Sequence, residues 1–442
     1  MQRRHLLGLS GVVLAASLAG CIGGLRTNGS GGITRAEPAV DPNVSEEQLA
    51  ELVGPTNTFA LALFDALVDA DPDENLFASP VSIAIALAMT YAGAQGVTRD
   101  EMREVLGFAQ EDDEIHEAFN ELQRSFESRG EDVETEPGGA YDEDDDPVPF
   151  ELALANSVWG QEEYGFEEAY LDVLVDHYYG SLEEVNFVEQ PEETRQRIND
   201  WVADNTEDRI DELLPEGSID ALVRLVLVNT IYFYANWLHP FEEGLTESDT
   251  FTAIDGTAHK VPLMQKQRQW PYAEVDGTQA VELPYVGEEA SMIVLLPPED
   301  DYRAFEADFD LDQLAQIQAA LDRREGTVVL PRFEFESSVE LREPLEALGM
   351  ASAFDPGHAD FSGMIEHEDD LYLDNVYHDA FVKVDEEGTE AAAATAAVMR
   401  TTSAPADPFT FRADRPFLFL IRDNPTGALI FVGRVVDPAD WE

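Results

Sequence analysis

The sequence predicts an α+β protein with mixed sheets, in which helices dominate the first half of the chain and strands the second half. Segments with helical periodicity follow one another from about residue 48 to residue 210. From about residue 222 onward, most apolar segments are short and rich in β-branched and aromatic residues. This segregation of helices and strands, without a repeat of fixed period, is typical of an α+β domain.

The first twenty residues have the pattern of an export signal. Arg3 and Arg4 precede an apolar stretch too short for a membrane span, and "LAGC" ends it at Cys21. The paired arginines resemble the twin-arginine type, and "LAGC" resembles a lipobox, whose cysteine is lipidated. Cys21 is the only cysteine, so no intramolecular disulfide can form. We expect lipid attachment at Cys21, a flexible tether over residues 21–47, and one folded domain over 48–442. The alternative is simple signal cleavage and secretion.

The charge of the chain is strongly one-sided. Asp and Glu number 91 and Lys and Arg 26, so the formal net charge is −65. Self-repulsion of this size opposes a compact fold at low salt, whereas at 1 M salt the Debye length is only about 3 Å. We therefore predict a surface adapted to very high salt, haloarchaeal-like in character, and no nucleic-acid partner. Residues 129–149 are predicted to be an acidic, turn-rich surface insertion without the spaced ligands of a calcium loop.

The predicted elements of the first half are mostly helices. Ser79 and Pro80 are helix-start signals for a segment whose apolar content indicates a buried helix. The segment "FELALANSVWG" is predicted to be a strand. The other predicted helices have amphipathic or helical periodicity: "PTNTFALALFDALVDA", "IHEAFNELQRSFESR", "EEAYLDVLVDHYYG" and "EETRQRINDWVADNTEDRI".

The second half contains a series of predicted strands. The segment "LVRLVLVNTIYFYANW" is apolar at both odd and even positions, which suits a central strand covered on both faces. Further strands are predicted at "QAVELPYV", "ASMIVLLP", "TVVLPRFEFESSVE", "AFVKVD", "FLFLIRD" and "ALIFVGRVVDP".

No motif for catalysis is present in the sequence. It contains no Gly-x-Ser-x-Gly elbow, no His-Glu-x-x-His zinc helix and no phosphate-binding glycine loop. We therefore predict that the protein is not an enzyme, and that it has no catalytic residues, metal or cofactor.

Six separated stretches follow one another between about Glu51 and Pro438: "NLFASPVSIAIALAMTYAGAQGVTRDEM", "LVLVNTIYFYANWLHPF", "LPRFEFESSVELREPLEALGM", "AFDPGHADFSGM", "LYLDNVYHDAFVKVDEEGTEAAAATAAVM" and "RPFLFLIRDNPTGALIFVGRVVDP". In this order and spacing, they resemble the serpin family of protease inhibitors. The resemblance implies the serpin fold, with about eight or nine helices and an exposed reactive-centre loop. It also implies a suicide inhibitor, whose loop a protease cleaves and whose cleaved loop then enters the main sheet with the acyl-linked protease.

The same resemblance identifies a hinge segment at the start of the loop, between two predicted strands. A strand that enters a sheet must alternate its side chains between the two faces. From Thr389 to Thr401 the odd positions are uncharged, and the two charges, Glu390 and Arg400, both fall on even positions. The odd positions are thus suited to the inner face, and we expect Gly388 to give the backbone conformational freedom. The hinge segment comprises Glu386, Glu387, Gly388, Thr389, Glu390, Ala391, Ala392, Ala393, Ala394, Thr395, Ala396 and Ala397.

Counting along the hinge predicts the position of the reactive bond. Members of the family place seventeen residues from the hinge glutamate to the residue before the bond, which gives Thr402 and then Ser403. A loop one residue shorter would place the bond after Thr401. A third alternative is Arg400 as the residue before the bond, which a trypsin-like protease would recognise. A small β-branched residue before the bond, such as Thr402, favours an extracellular elastase-like or subtilisin-like serine protease as the partner.

The remaining implied site residues are polar and aromatic positions in the sheet. Ser79, Asn229 and His378 match a polar cluster where the sheet opens, and Trp237 matches a tryptophan where insertion begins. We expect a monomer anchored by lipid to the outer face of the cell membrane. The alternative function is a non-inhibitory serpin, a binding or chaperone-like protein whose loop is cleaved as a simple substrate.

Overall fold

Helices and two sheets make up the computed structural model, which describes residues 38–135, 150–178, 182–206, 209–210, 212–299, 301–365, 371–389, 408–439 and 441. Nine α-helices lie in these ranges: α1 (Glu46–Ala70), α2 (Pro80–Tyr91), α3 (Gly96–Leu106), α4 (Asp112–Thr135), α5 (Glu168–His177), α6 (Pro191–Asn205), α7 (Tyr302–Asp308), α8 (Leu311–Ala320) and α9 (Arg342–Leu348). None of the described helices is both long and apolar enough to cross a membrane.

The strands form a nine-stranded and a six-stranded sheet in the described part of the chain. They are β1 (Leu76–Ala78), β2 (Phe150–Gln161), β3 (Leu182–Val185), β4 (Leu225–Asn236), β5 (Glu247–Thr252), β6 (Ala258–Val275), β7 (Thr278–Pro284), β8 (Ala290–Leu296), β9 (Asp322–Pro331), β10 (Phe333–Glu340), β11 (Tyr377–Val384), β12 (Gly388–Thr389), β13 (Phe409–Arg412), β14 (Phe417–Asp423) and β15 (Leu429–Val435). The larger sheet has the order β1-β15-β14-β8-β7-β6-β9-β13, with β5 beside β6. The α+β prediction is confirmed.

The six-stranded sheet has the order β10-β11-β12-β4-β2-β3, and its strand β4 is covered on both faces. Ile231 and Phe233 of β4 pack into the main core with α1 and α2. Val226 and Val228 face the other way, into a second apolar cluster with α6 and the segment up to Ile219. The continuous apolar run in the sequence predicted this double burial, and it places β4 inside the sheet rather than at its edge.

The folded body begins earlier than the predicted boundary at residue 48. Helix α1 starts at Glu46, and Ser45 caps it through a reciprocal pair of hydrogen bonds with Gln48. Further upstream, the amide of Ala39 donates to the carbonyl of Val175 at 2.9 Å. The carbonyls at the end of α5 need partners outside that helix, and the upstream chain supplies one. The last part of the predicted tether therefore belongs to the body.

The predicted acidic insertion also begins later than residue 129. Helix α4 continues to Thr135 because the glutamates and arginine of this stretch favour helix, and one glycine at position 130 does not end it. Arg129 is fixed by an ion pair, its Nε lying 3.0 Å from Asp423 Oδ1. The rest of the predicted insertion, residues 136–149, lies outside the described residues, as does the predicted signal with Cys21.

Candidate functional site

A tight turn connects β11 to the two-residue strand β12. The carboxylate of Asp385 accepts hydrogen bonds from the amides of Glu387 at 2.9 Å and Gly388 at 3.2 Å. The turn reverses the chain, so β12 runs antiparallel to β11. The first residues of the predicted hinge segment are thereby folded back into the six-stranded sheet.

Strand β12 lies between β11 and β4. Thr389 pairs with Val384 on one side and Ala235 on the other, and Gly388 pairs with Asn236. A Cβ on Gly388 would lie 2.2 Å from the carbonyl oxygen of Ala235, so only glycine fits here. The φ angle of Gly388 is not positive. Glycine is required for the close approach of two backbones rather than for the conformational freedom expected from the sequence.

The turn is fastened to the chain that follows β4. The amide and indole nitrogens of Trp237 donate to the carbonyls of Glu387 at 2.8 Å and Asp385 at 3.0 Å. Glu386 is buried, and its Oε1 accepts from the hydroxyl of Thr246 at 2.6 Å. Its Oε2 lies 3.8 Å from a guanidinium nitrogen of Arg332. These contacts hold the base of the hinge at one end of the sheet.

Thr389 faces the core, on the side expected for the odd positions of the hinge segment. It is 2% exposed, and its hydroxyl lies 2.9 Å from that of Tyr285. The ring of Tyr285 stacks on Trp237 at 4.6 Å between centroids. Burial raises the pKa of Tyr285, so its hydroxyl stays protonated and available for this contact. A charged side chain at position 389 would have no space in this buried site and would lose the hydrogen bond with the hydroxyl of Tyr285.

Ser79, Asn229 and His378 lie together farther along the sheet. The amide of Ser79 donates to His378 Nε2 at 3.0 Å, and His378 Nδ1 lies 2.7 Å from Asn229 Oδ1. The ring is therefore neutral, with its proton on Nδ1. Burial lowers the pKa of His378 to about 4. Asn229 also donates to Ser82 Oγ and to Asn156 Oδ1, two members of the cluster that the sequence did not reveal.

The cluster bridges two strands that meet directly only at one end. Strands β4 and β11 pair in parallel where Tyr377–Asp379 lies beside Val228–Thr230. At the other end β12 separates them. Between these two points, residues 380–383 and 231–234 have no described strand between them. A chain that continued from Thr389 in the same register would fill this gap and then have to break the contact between His378 and Asn229.

Asp379, beside the cluster, is a further buried polar residue that sequence reasoning missed. It is 3% exposed, and its Oδ2 has no hydrogen-bond partner among the described residues. Burial raises the pKa of Asp379 to about 7, a contact with Ser338 opposes the rise, and Glu336 adds to it. The signal in the sequence was an acidic residue directly after His378 and directly before the predicted strand "AFVKVD".

The other predicted site residues lie outside the described residues. These are the hinge positions from Glu390 to Ala397, the reactive-bond candidates Arg400, Thr401, Thr402 and Ser403, and Cys21. In the part of the chain that is described, no cluster of His, Cys, Asp and Glu side chains could hold a metal ion.

Comparisons with known proteins show the family and the fold of the chain. The family model described as "Serpin (serine protease inhibitor)" matches residues 55–438. The chain is 38% identical over 400 residues to a serpin-like protein of Thermococcus kodakarensis, covering 90% of this chain and 88% of the relative. It is 37% identical over 399 residues to the leukocyte elastase inhibitor of Equus caballus, covering 88% and 100%. Among solved structures, native tengpin, a thermophilic serpin, superposes with a TM-score of 0.77 at 27% identity, covering 91% and 97%.

Proposed function

Because the chain belongs to the serpin family and has its fold, we propose that it inhibits an extracellular serine protease as a suicide substrate. The protease serine attacks the carbonyl carbon of the residue before the reactive bond. The peptide bond breaks, the amine of the following residue leaves with the C-terminal fragment, and an ester joins the protease to the chain. Entry of the cleaved segment into the sheet then carries the protease away before water hydrolyses the ester. The chain itself supplies no catalyst.

The single observation that carries this proposal is the position of β12. Gly388 and Thr389 already lie between β11 and β4, in an antiparallel register that a following strand can continue. Continuation places alternate residues of the hinge segment on the inner and outer faces of the sheet. Small side chains at Ala391 and Ala393 would then meet the inner face, near Phe233 of β4, without displacing large groups.

The polar cluster acts as a gate in this mechanism. A segment longer than about four residues beyond Thr389 must part β4 from β11 where His378 contacts Asn229. The cluster keeps the strands together in the resting chain. The main-chain hydrogen bonds that β4 and β11 lose when they part are replaced by those that each makes with the incoming strand, so the barrier to opening is finite.

We place the reactive bond between Thr402 and Ser403, with Thr401 and Arg400 as the alternative residues before the bond. The small side chain of Thr402 fits a protease with a small or tolerant specificity pocket, either subtilisin-like or elastase-like. The similarity to an inhibitor named for leukocyte elastase supports this class. Arg400 would instead suit a trypsin-like protease.

The proposed location is the outer face of the cell membrane, in a salt-rich medium. The signal with Cys21 supports a lipid-anchored monomer, and the net charge of −65 supports function at high salt. The inhibitor would meet its protease outside the cell, where each inhibited protease molecule consumes one molecule of the inhibitor.

The test mixes the purified chain, in molar salt, with subtilisin, an elastase and trypsin, followed by denaturing gels and mass spectrometry. We expect a complex that survives denaturant and a released peptide that begins at Ser403. A peptide beginning at Thr401 would move the bond to Arg400. Cleavage of the loop by every protease without a covalent complex would contradict inhibition and favour the non-inhibitory alternative.

A further inference from the structure

Asn43 is the acceptor position of an Asn-x-Ser sequence just before α1. The chain contains thirteen asparagines, and only Asn28 and Asn43 are followed two residues later by serine or threonine without an intervening proline. Asn424 has Thr426 in that position, but Pro425 lies between them. Asn28 lies outside the described residues. Asn43 is therefore the position at which the structure can test such a sequence.

Asn43 lies in a short link, residues 41–45, that is held at both ends and has no helix or strand. Upstream, the amide of Val40 donates to a carbonyl at the end of α5 at 3.3 Å. Downstream, Ser45 caps α1 with extended backbone angles, φ −82° and ψ 159°. Between them, Val44 packs against the main core, whereas Asn43 and Ser45 are exposed. This alternation is that of an extended chain, and it places the asparagine and the serine on the same outward side.

The side-chain amide of Asn43 is free to react, unlike the other asparagine side chains that the structure describes. Ten of these twelve side chains are hydrogen-bonded, and they belong to Asn57, Asn75, Asn120, Asn156, Asn186, Asn199, Asn205, Asn229, Asn375 and Asn424. The eleventh, Asn236, is only 4% exposed. Asn43 is exposed and makes no hydrogen bond with any described residue. Its amide nitrogen can therefore meet an enzyme without a contact of the fold being broken.

The hydroxyl of Ser45 completes the acceptor sequence, and it is held only by the helix cap. It donates to Gln48 Oε1 at 2.9 Å and accepts from the Gln48 amide at 3.3 Å. A cap of this kind contributes only about 1 kcal/mol, so freeing the hydroxyl for a transferase costs little. The predicted twin-arginine signal is of the type that exports folded proteins. A transferase outside the cell would therefore meet Asn43 and Ser45 on the folded surface, where both are exposed.

We propose that Asn43 is a site of N-linked glycosylation, which takes an oligosaccharide from a lipid-linked, phosphate-activated sugar donor outside the cell. The amide nitrogen of Asn43 attacks the anomeric carbon of the first sugar. A carbon–nitrogen bond forms there, and the bond from that carbon to the phosphate oxygen of the donor breaks. The lipid phosphate leaves, and the amide releases one proton. The inference rests on the proposed location outside the cell, and it does not depend on protease inhibition.

The glycan would protect the point at which the folded body joins the upstream chain. Exposed segments without helix or strand are preferred sites of proteolytic cleavage, and the link is such a segment. Cleavage within residues 41–45 would separate the body from Cys21, and so from its proposed anchor. A bulky, hydrophilic oligosaccharide on Asn43 would keep proteases away from the link. An inhibitor that meets proteases outside the cell would benefit from this protection.

The test uses the full chain, with its signal, produced in the organism from which it comes. Digestion after Arg35 and Glu46 releases residues 36–46, a peptide in which Asn43 is the only asparagine, and mass spectrometry measures its mass. Asn43→Gln removes the acceptor amide. Ser45→Asp removes the hydroxyl but retains a good helix cap. Ser45→Thr is the matched control, because threonine retains both the hydroxyl and the cap.

In the natural chain and in Ser45→Thr, we expect the peptide to carry the added mass of an oligosaccharide. In Asn43→Gln and Ser45→Asp, we expect complete loss of that mass, because each variant lacks one part of the acceptor sequence. Subtilisin should cut the link of the folded chain several-fold faster in Asn43→Gln than in the natural chain. An unmodified peptide from the natural chain, recovered outside the cell, would overturn the inference, as would an added mass that persists in Ser45→Asp.

A second measurement separates failure of this inference from failure of the proposed function. Asn43→Gln and the natural chain are both mixed with the protease panel, and they should form the covalent complex equally, because Asn43 is no part of the hinge or the sheet. A complex formed by a natural chain without the glycan would overturn glycosylation and leave inhibition standing. A glycosylated chain that forms no complex would do the reverse. A natural chain found only inside the cell would overturn the proposed location, and glycosylation at Asn43 with it.

Discussion

Replacing Asp379 by asparagine should stabilise the folded chain at neutral and alkaline pH. Asp379 is 3% exposed where β11 meets β4, and its Oδ2 has no hydrogen-bond partner among the described residues. Burial raises the pKa of Asp379 to about 7. The hydrogen bond with Ser338 lowers this pKa, and the nearby negative charge of Glu336 raises it further. Asparagine has nearly the same shape and carries no charge, so the substitution removes the cost of ionising a buried group.

The sign of the effect follows from proton linkage. Between about pH 4 and pH 7 the unfolded chain has lost the Asp379 proton and the folded chain retains it, so folded-state stability falls as pH rises. Each pH unit in this window removes about 1.4 kcal/mol, and the loss levels off above the folded-state pKa. The stability advantage of Asp379→Asn should therefore widen by about 2.5 kcal/mol between about pH 5 and about pH 9.

The assay measures the free energy of unfolding of both chains by denaturant, in molar salt and at several pH values. Contributions of the other titrating groups are common to the two chains and cancel in the difference between their free energies. The matched control is Asp374→Asn, which removes an exposed carboxylate three residues before β11 and should show no pH-dependent gain. A stability difference between the natural chain and Asp379→Asn that is independent of pH, or that narrows as pH rises, would refute the reasoning.

Two further predictions concern the hinge and the gate. Thr389→Arg should abolish the gain in melting temperature on loop cleavage, because the charged side chain cannot occupy the buried site beside Tyr285 and would hold position 389 out of the sheet, so that β12 could not be continued. Thr252→Arg, on the exposed side of β5, should leave the gain unchanged. A gain that survives in Thr389→Arg would contradict the inward position of residue 389. His378→Gln should lower the free energy of unfolding at neutral pH by about 1–3 kcal/mol, because the contacts to Ser79 and Asn229 lose their geometry. Burial lowers the pKa of His378 to about 4, so the natural chain loses the stability contributed by the neutral ring as pH falls from 6.5 towards 4, and the variant does not. The stability difference between the two chains should therefore narrow over that range in denaturant unfolding, and a difference independent of pH would contradict the buried neutral ring.

The strongest local patterns predicted the fold correctly. The apolar run of β4 predicted a strand buried on both faces, and it is one. By contrast, the single predicted strand "TVVLPRFEFESSVE" is divided at Arg332 into β9 and β10, which belong to different sheets. The 18-residue strand β6 was missed because its lysine, arginine and glutamine residues and two prolines weaken the strand pattern.

The site was harder to predict from local pattern, because its members are distant in the chain. Ser79 and His378 are 299 residues apart, and Asn229 and His378 are 149 apart, so only the family resemblance brought them together. The need for Gly388 comes from the carbonyl of Ala235 on another strand, which no local pattern contains. The burial of Asp379 likewise depends on the neighbouring strands β10 and β4, which are distant in the sequence.

The most direct test of the central claim compares the melting temperature of the intact chain with that of the loop-cleaved chain in molar salt. If the segment after Thr389 enters the gap between β4 and β11, cleavage should raise the melting temperature by more than about 10 °C, because a full additional strand contributes several kcal/mol. An unchanged or lower melting temperature after cleavage, with the cleavage position verified by mass spectrometry, would contradict the account.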